Sequence, residues 1–247
     1  MLIKAGSRGA HVRSFQKFLN DSGFNAGPAD GVSGPKTVNA IKAFQVRSGL
    51  ADDGIAGNNT LTAAKASGWD WGKATQHQIK AADELGLEVE VVQAIEKVES
   101  GGNPSAVRFE PHLFIRKRPR YKDVIPFTRG HAGFSTVAAE TDLEAFRHAY
   151  ALDPLIAVQS TSWGLYQVLG AHLIALHGDD PEAAVLAFDA DPTKTSYELF
   201  TRWFFASPLA LMAARGKDWW RLAKHYNGPS NQAHYAKLLK AAYEEIE

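Results

Sequence analysis

The sequence predicts a mainly α-helical protein, a small three-helix domain followed by a larger α domain. Three observations predict it. Apolar residues recur at helical spacing through most of the chain. The segment Asp30-Gly-Val-Ser-Gly-Pro-Lys-Thr37 recurs as Asp53-Gly-Ile-Ala-Gly-Asn-Asn-Thr60, an internal repeat of a turn leading into a helix. Almost no strand alternation appears.

Composition sets the limits. The chain has 247 residues, enough for one large domain or two smaller ones. An apolar content of 45% with six Trp points to a packed core and away from disorder. The net charge is zero, so no global field favours nucleic acid. The absence of cysteine excludes a disulfide framework and thiol catalysis. Residues 1–9 carry no sustained apolar run, and no window is long enough to span a bilayer. The expectation is synthesis in the cytoplasm without a signal peptide, no stable membrane insertion, and release by a separate agent if the substrate lies outside.

The first helix is predicted over about 10–21, where Val12, Phe15, Phe18 and Leu19 share a face. A second runs over about 35–48, with Pro35 in its first turn and Val38, Ile41 and Phe44 inward. Phe15-Gln16 and Phe44-Gln45 hold matching places in the two halves of the repeat. His11 and His77 have no metal-ligand spacing and read as ordinary polar residues. The stretch from Ala66 to Gly72 breaks the pattern, although Trp69 and Trp71 argue against a floppy tether. The expected division is 1–66, a connection over 67–74, and a second domain over 75–247.

In the second domain Thr75 caps a helix over about 76–85 that stops at Gly86. The next helix, 88–100, places Val91, Val92, Ile95 and Val98 on one side. Glu90 is expected to point away from that side, and Glu96 lies at its margin. Glu88 and Glu99 fall within the apolar arc at opposite ends. The helix dipole favours Glu88 in the first turn and disfavours Glu99 in the last. Apolar surroundings and an unfavourable dipole raise a carboxyl pKa, which is what a general acid requires. Gly101 and Gly102 then remove side chains beside that carboxyl.

Residues 103–133 read as irregular and basic, with Arg108, Arg116, Lys117, Arg118, Arg120, Lys122 and Arg129. This cluster could attract carboxylates or be a solvated loop face. Pro111, Pro119 and Pro126 exclude a long helix, and 109–114 reads as a short strand or extended segment. Helices are expected over 141–152, opened by a Thr141/Glu144 capping box, and from Pro154 toward Gln159. Residues 160–168 are expected to enter the next helix. Further helices are expected over 181–189, 196–205, 208–214, 216–225 and 232–245. Trp219 and Trp220 are expected in the core.

The module's Val-x-x-Phe-Gln, Asp-Gly-x-x-Gly-Pro-x-Thr, Ala-x-x-x-Phe-Gln and second Asp-Gly-x-x-Gly resemble the peptidoglycan-binding domain 1 family over about residues 5–66. That resemblance implies docking on cell-wall peptidoglycan, while Asp30, Gly31, Asp53 and Gly54 taken singly read as turn makers. Downstream, Val98-Glu-Ser-Gly-Gly102, Ser162-Trp-Gly-Leu-Tyr-Gln167 and Tyr226-Asn-Gly228 together resemble the lysozyme-like superfamily of goose-type lysozymes and lytic transglycosylases. Ile95-x-x-Val-Glu-Ser-Gly-Gly, Phe109-Glu-x-His-x-Phe, Ser160-Thr-Ser-Trp-Gly and Tyr226-Asn-Gly-Pro resemble more closely the phage N-acetylmuramidase family, over about 75 to the end. The pairing of modules is similar to that of phage endolysins.

The resemblance makes Glu99 the catalytic glutamate of a lysozyme-like domain that cuts the β-1,4 bond after N-acetylmuramic acid. Ser100 could hydrogen-bond the carboxyl or a sugar hydroxyl. Gly164, Tyr166 and Gln167 would line the cleft, with Gly164 letting a substrate approach the backbone closely, and Tyr226 and Asn227 would form its other wall. Trp163 could stack on a sugar or pack in the core. A second carboxylate is open among Glu110, Asp123, Glu140 and Asp142, and Glu110 could equally hold its loop together with His112. If none serves, the sugar's own 6-hydroxyl could attack, as in lytic transglycosylases. The expected partner is bacterial peptidoglycan, not nucleic acid, met by a monomer with no cofactor and no metal. No His-Glu-x-x-His helix is present for a zinc amidase.

Overall fold

The computed structural model describes residues 2–69, 74–127, 137–138 and 141–246. Among them the helices are α1 (Ala10–Asp21), α2 (Pro35–Arg47), α3 (Asn58–Ala66), α4 (Gln76–Leu85), α5 (Val89–Ser100), α6 (Pro111–Lys117), α7 (Asp142–Leu152) and α8 (Pro154–Gln159). The series continues with α9 (Ala171–Leu176), α10 (Pro181–Ala190), α11 (Pro192–Ala206), α12 (Pro208–Arg215), α13 (Trp219–Tyr226) and α14 (Gln232–Ile246). The short strands are β1 (Val107–Phe109), β2 (Pro126–Phe127), β3 (Val137–Ala138), β4 (Thr161–Trp163) and β5 (Val168–Leu169). The mainly α class stands, with a smaller N-terminal helical module and a larger helical remainder. None of the described helices is long and apolar enough to cross a membrane. The chain separates into two compact units, Met1–Ile95 with Pro208–Glu247, and Glu96–Ser207.

In the first unit the repeat folds as the sequence anticipates, and a glutamine organises each half. Gln16 Nε2 donates to Asp30 Oδ1 at 3.1 Å, to the Val32 carbonyl at 3.0 Å and to Thr37 Oγ1 at 3.0 Å, and its Oε1 accepts from the Gly31 N–H at 2.8 Å. Gln45 repeats the pattern on Asp53, Ile55 and Thr60 at 2.8, 3.0 and 3.0 Å, and accepts from the Gly54 N–H at 2.9 Å. Each aspartate closes its turn on a backbone N–H, and that bond followed by the glutamine's holds both carboxyls below the usual range. Asp30, Gly31, Asp53 and Gly54 are therefore turn makers here. Phe15, Phe18, Ile41, Phe44 and Leu61 form the core beneath them. Trp69 completes that core, its ring centroid 4.9 Å from Phe15 and its Nε1 donating to Ser14 Oγ at 3.2 Å. Trp71 lies outside the described residues.

Thr75 and Gln78 form a reciprocal capping box at α4, and Gly86 ends it in the left-handed region. The start of α5 departs from expectation. Glu90 is not turned to solvent: it is 1% exposed. A second element covers that side of the helix. A Cβ placed on Gly9 would come within 2.8 Å of Glu90 Oε2. Arg8, Arg13, Asp30, Glu88, Glu90 and Lys217 line a cavity of about 200 Å³ there. Trp220 is also corrected: it is 56% exposed, while Trp219 packs at 5.3 Å from Tyr243.

In the second unit β1, β4 and β5 form an antiparallel sheet in that order, with Val107 opposite Trp163 and Ser162 opposite Leu169. Residues 160–168 thus build a hairpin rather than entering a helix. Gly164 at φ 70 and Gln167 at φ 48 turn the chain between its strands. Residues 109–114 are also only partly extended, because Pro111 opens α6 directly after β1. Helix α11 begins four residues before the expected 196, with Asp191 capping the Lys194 N–H and Pro192 in its first turn. Helix α9 is an addition to the elements expected from the sequence.

Candidate active site

Helix α5 ends at Ser100. Glu99 is half-buried in its last turn. Gly101 at φ 63 and Gly102 at φ 84 follow it, and a Cβ on Gly101 would meet nothing within 4 Å. Ser100 is turned to the helix end: its Oγ donates to the Glu96 carbonyl at 3.3 Å and accepts from the Gly102 N–H at 3.2 Å. Its one proton is engaged there rather than on the Glu99 carboxyl or a sugar.

One turn before Glu99, Glu96 gathers two tyrosines. Tyr166 Oη donates to Glu96 Oε2 at 3.1 Å and Tyr197 Oη donates to the same oxygen at 3.0 Å. Glu96 Oε1 faces Gly102, 3.9 Å from where a Cβ would stand. Burial above all, then the neighbouring Tyr197 and Glu96, pushes the Tyr166 phenol well above its usual pKa, so it remains a donor. The Tyr166 ring is fully buried, stacked on Phe200 at 3.9 Å and edge-on to Tyr197 at 5.2 Å. Only its hydroxyl reaches the site, so the ring lines no sugar cleft.

The hairpin turn supports this arrangement. The Gly164 N–H donates to the Ala106 carbonyl at 2.7 Å, and Gln167 Nε2 donates to the Ala106 and Gly164 carbonyls at 3.3 and 3.0 Å. Ser196 Oγ accepts from the Leu165 N–H at 3.1 Å. A Cβ on Gly164 would fall 1.9 Å from Ser196 Oγ. Glycine is needed there for the approach of α11, and not, as expected, for the approach of a substrate. Trp163 is likewise corrected. It is 2% exposed, with Phe146 and Phe188 edge-on at 5.1 and 4.9 Å, so it offers no face to a sugar.

Glu110 stands between Arg108 Nε at 3.1 Å and His112 Nδ1 at 3.6 Å, with its side chain 14% exposed. The structure thus shows the loop-holding arrangement. Asp123 is exposed, Asp142 lies in the first turn of α7, and Glu140 is outside the described residues. In the basic stretch Arg118 pairs with Asp153 at 2.6 Å and Lys117 Nζ donates to Gln159 Oε1 at 2.9 Å. Tyr226 ends α13 and Asn227 caps it, its N–H donating to the Ala223 carbonyl, both half-buried and both in the first unit. Among the described residues no group of His, Asp and Glu could hold a metal ion. Sequence reasoning missed Tyr197 and the part played by Glu96. The available signal was a second glutamate in a helix's last turns, where the dipole opposes it.

The fold and the site are thus a repeat-built helical module joined to a further helical domain with a glutamate at a glycine-stopped helix end. The chain belongs to the N-acetylmuramidase family, which matches residues 88–247, and the peptidoglycan binding domain family matches residues 8–64. The crystal structure of Burkholderia AP3 phage endolysin superposes with a TM-score of 0.56 at 28% identity, covering 100% of this chain and 99% of that one. A probable N-acetylmuramoyl-L-alanine amidase of Bacillus licheniformis is 39% identical over 72 residues, 27% of this chain and 20% of that protein. The N-acetylmuramoyl-L-alanine amidase CwlL of the same organism is 41% identical over 64 residues, 24% and 18% respectively. The matches thus span about a fifth of the length of these curated relatives.

Proposed function

We propose that this protein is a peptidoglycan muramidase that hydrolyses the β-1,4 bond between N-acetylmuramic acid and N-acetylglucosamine, with Glu99 as general acid. The observation that carries this reading is the half-buried Glu99 carboxyl in the last turn of α5, followed by open space at Gly101. A carboxylic acid there can protonate the leaving oxygen while oxocarbenium-like charge develops on the sugar. The glycines let a bulky glycan come up to it. Residues 1–66 hold the enzyme on the wall, 67–74 connect, and 75–247 form the catalytic domain. The enzyme works as a monomer, without metal or cofactor. The likeness to a phage endolysin supports a role in lysing a bacterial host from within, after release by a separate agent.

Amidase activity is not adopted, because the amidases share about a quarter of this chain whereas the N-acetylmuramidase match runs over 88–247. Digestion of purified peptidoglycan, with mass spectrometry of the released fragments, tests the reading. Fragments ending in reducing N-acetylmuramic acid are expected. Products lighter by one water would mean attack by the substrate's 6-hydroxyl, hence a lytic transglycosylase. Release of peptides free of sugar would point to an amidase.

A further inference from the structure

We propose that Glu96 is a positioning residue for Glu99, and that Tyr166 and Tyr197 clamp it so that the last turn of α5 presents the acid in one geometry. The inference rests on the assignment of Glu99 above and deepens it. Helix α5 breaks a local rule at this end. Glu96 and Glu99 are neighbours one turn apart, and both stand where the negative end of the helix dipole disfavours them. Left to itself such a turn frays. Three contacts oppose this, and each converges on Glu96. Its Oε2 receives the phenols of Tyr166 and Tyr197, which come from the β4–β5 turn and from α11. Its carbonyl receives Ser100 Oγ, which in turn takes the Gly102 N–H. The line from the tyrosines through Glu96 and Ser100 to Gly102 passes on both sides of residue 99.

Two further observations fit a positioning role better than a direct one. An inverting hydrolase needs its second carboxyl across the sugar from the first. Carboxylates on successive turns of one helix rise from the same wall, so Glu96 cannot stand opposite Glu99. The clamp is also built from buried, close-packed rings: Tyr166 is stacked on Phe200, and Tyr197 is 6% exposed. Their hydroxyls are held by the packing of the unit before substrate arrives. A small misplacement of a catalytic group costs far more rate than binding.

The test uses the full chain and initial rates on soluble peptidoglycan fragments. Glu96→Ala and the double variant Tyr166→Phe/Tyr197→Phe, which keeps both rings, are expected to lower kcat about 10- to 100-fold, with KM within about twofold. Glu96→Gln, whose amide carbonyl still accepts from both phenols, is expected to retain most of kcat. Circular dichroism and melting curves confine the comparison to folded protein. An unchanged kcat in Glu96→Ala or in the double Phe variant overturns the proposal. So does a Glu96→Gln variant as slow as Glu96→Ala, since orientation by hydrogen bonding would then not be what matters. Glu99→Gln in the same assay separates the two levels. Full activity there removes Glu99 itself from the mechanism, whereas an inactive Glu99→Gln beside a normal Glu96→Ala removes only the clamp.

Discussion

The two ends of α5 carry the same kind of side chain in opposite settings. At the start, Glu88 is held by Lys217 Nζ at 2.9 Å and by the Tyr243 hydroxyl. Burial pushes its carboxyl up, but the bonds from Tyr243 and Lys217 outweigh this and leave its pKa below the usual value. Glu90 is buried beside Gly9. At the far end, Glu96 is clamped by phenols and Glu99 is followed by two glycines with positive φ and an open flank. The dipole favours the acids at the first end and opposes them at the second. A helix that only had to be stable would carry its acids the first way. The second arrangement lowers local stability, and departures of this kind concentrate at functional sites.

Exchanging the charges tests that contrast most severely. Glu99→Gln is expected to lower the rate of peptidoglycan hydrolysis by about 10²–10⁴-fold. It should leave the melting temperature unchanged or slightly higher, because a charge opposed by the dipole is removed. Glu88→Gln is expected to do the reverse. It weakens a partly exposed ion pair and hydrogen bond worth about 1–2 kcal/mol, with activity per folded molecule preserved. Each 1 kcal/mol corresponds to about 2–4 °C in a chain of this size. If both variants lost activity equally, the two ends would not differ as described.

Much of this contrast was legible in the sequence, and the gaps have physical causes. The repeat, the caps at Thr75 and Thr141, and Glu99 at a glycine-stopped helix end all rest on local patterns, which survive folding. The burial of Glu90 did not show, because an amphipathic reading assumes one covered face and α5 has a second neighbour at Gly9. The hairpin at Thr161–Trp163 and Val168–Leu169 was hidden because strands this short carry too few alternations to register. Trp163 beside Gly164 reads the same whether it stacks on a sugar or between Phe146 and Phe188. The clamp was out of reach: Tyr197 lies 101 residues from Glu96, and nothing local announces the pairing.

The first end should also be the acid-sensitive one. His11 is 4% exposed, and its Nδ1 has no hydrogen-bond partner among the described residues. Burial, only partly offset by the charge of Glu88, lowers its pKa from 6.5 to about 4. An unfolded chain therefore takes up a proton between those values that the folded chain refuses, so stability falls as pH drops through that window and is flat above it. The shift corresponds to at most about 3 kcal/mol. Glu88 adds to the loss when pH falls toward its lowered pKa, whereas Asp83, raised by burial, works the other way. Melting curves from pH 7.5 to 4.5 should show the decline in the parent and much less of it in His11→Leu. An equal decline in both would place the sensitivity elsewhere.

The smallest effect expected concerns two glycines, one at each end. Gly9 has φ 120 with ψ 178 and Gly101 has φ 63, so an alanine is strained at either position and more so at Gly9. The surroundings differ. At Gly9 the added methyl would lie 2.8 Å from Glu90 Oε2 and 3.1 Å from His11 Nδ1, so two buried polar side chains have to shift. At Gly101 it would meet nothing within 4 Å. Gly101→Ala should therefore lose only the backbone term, about 1 kcal/mol, while Gly9→Ala loses about 1–2 kcal/mol more. In melting temperature this separates the variants by about 2–8 °C. Equal losses would mean that Glu90 and His11 give way freely, and that the close fit at the first end of α5 does not hold the helix there.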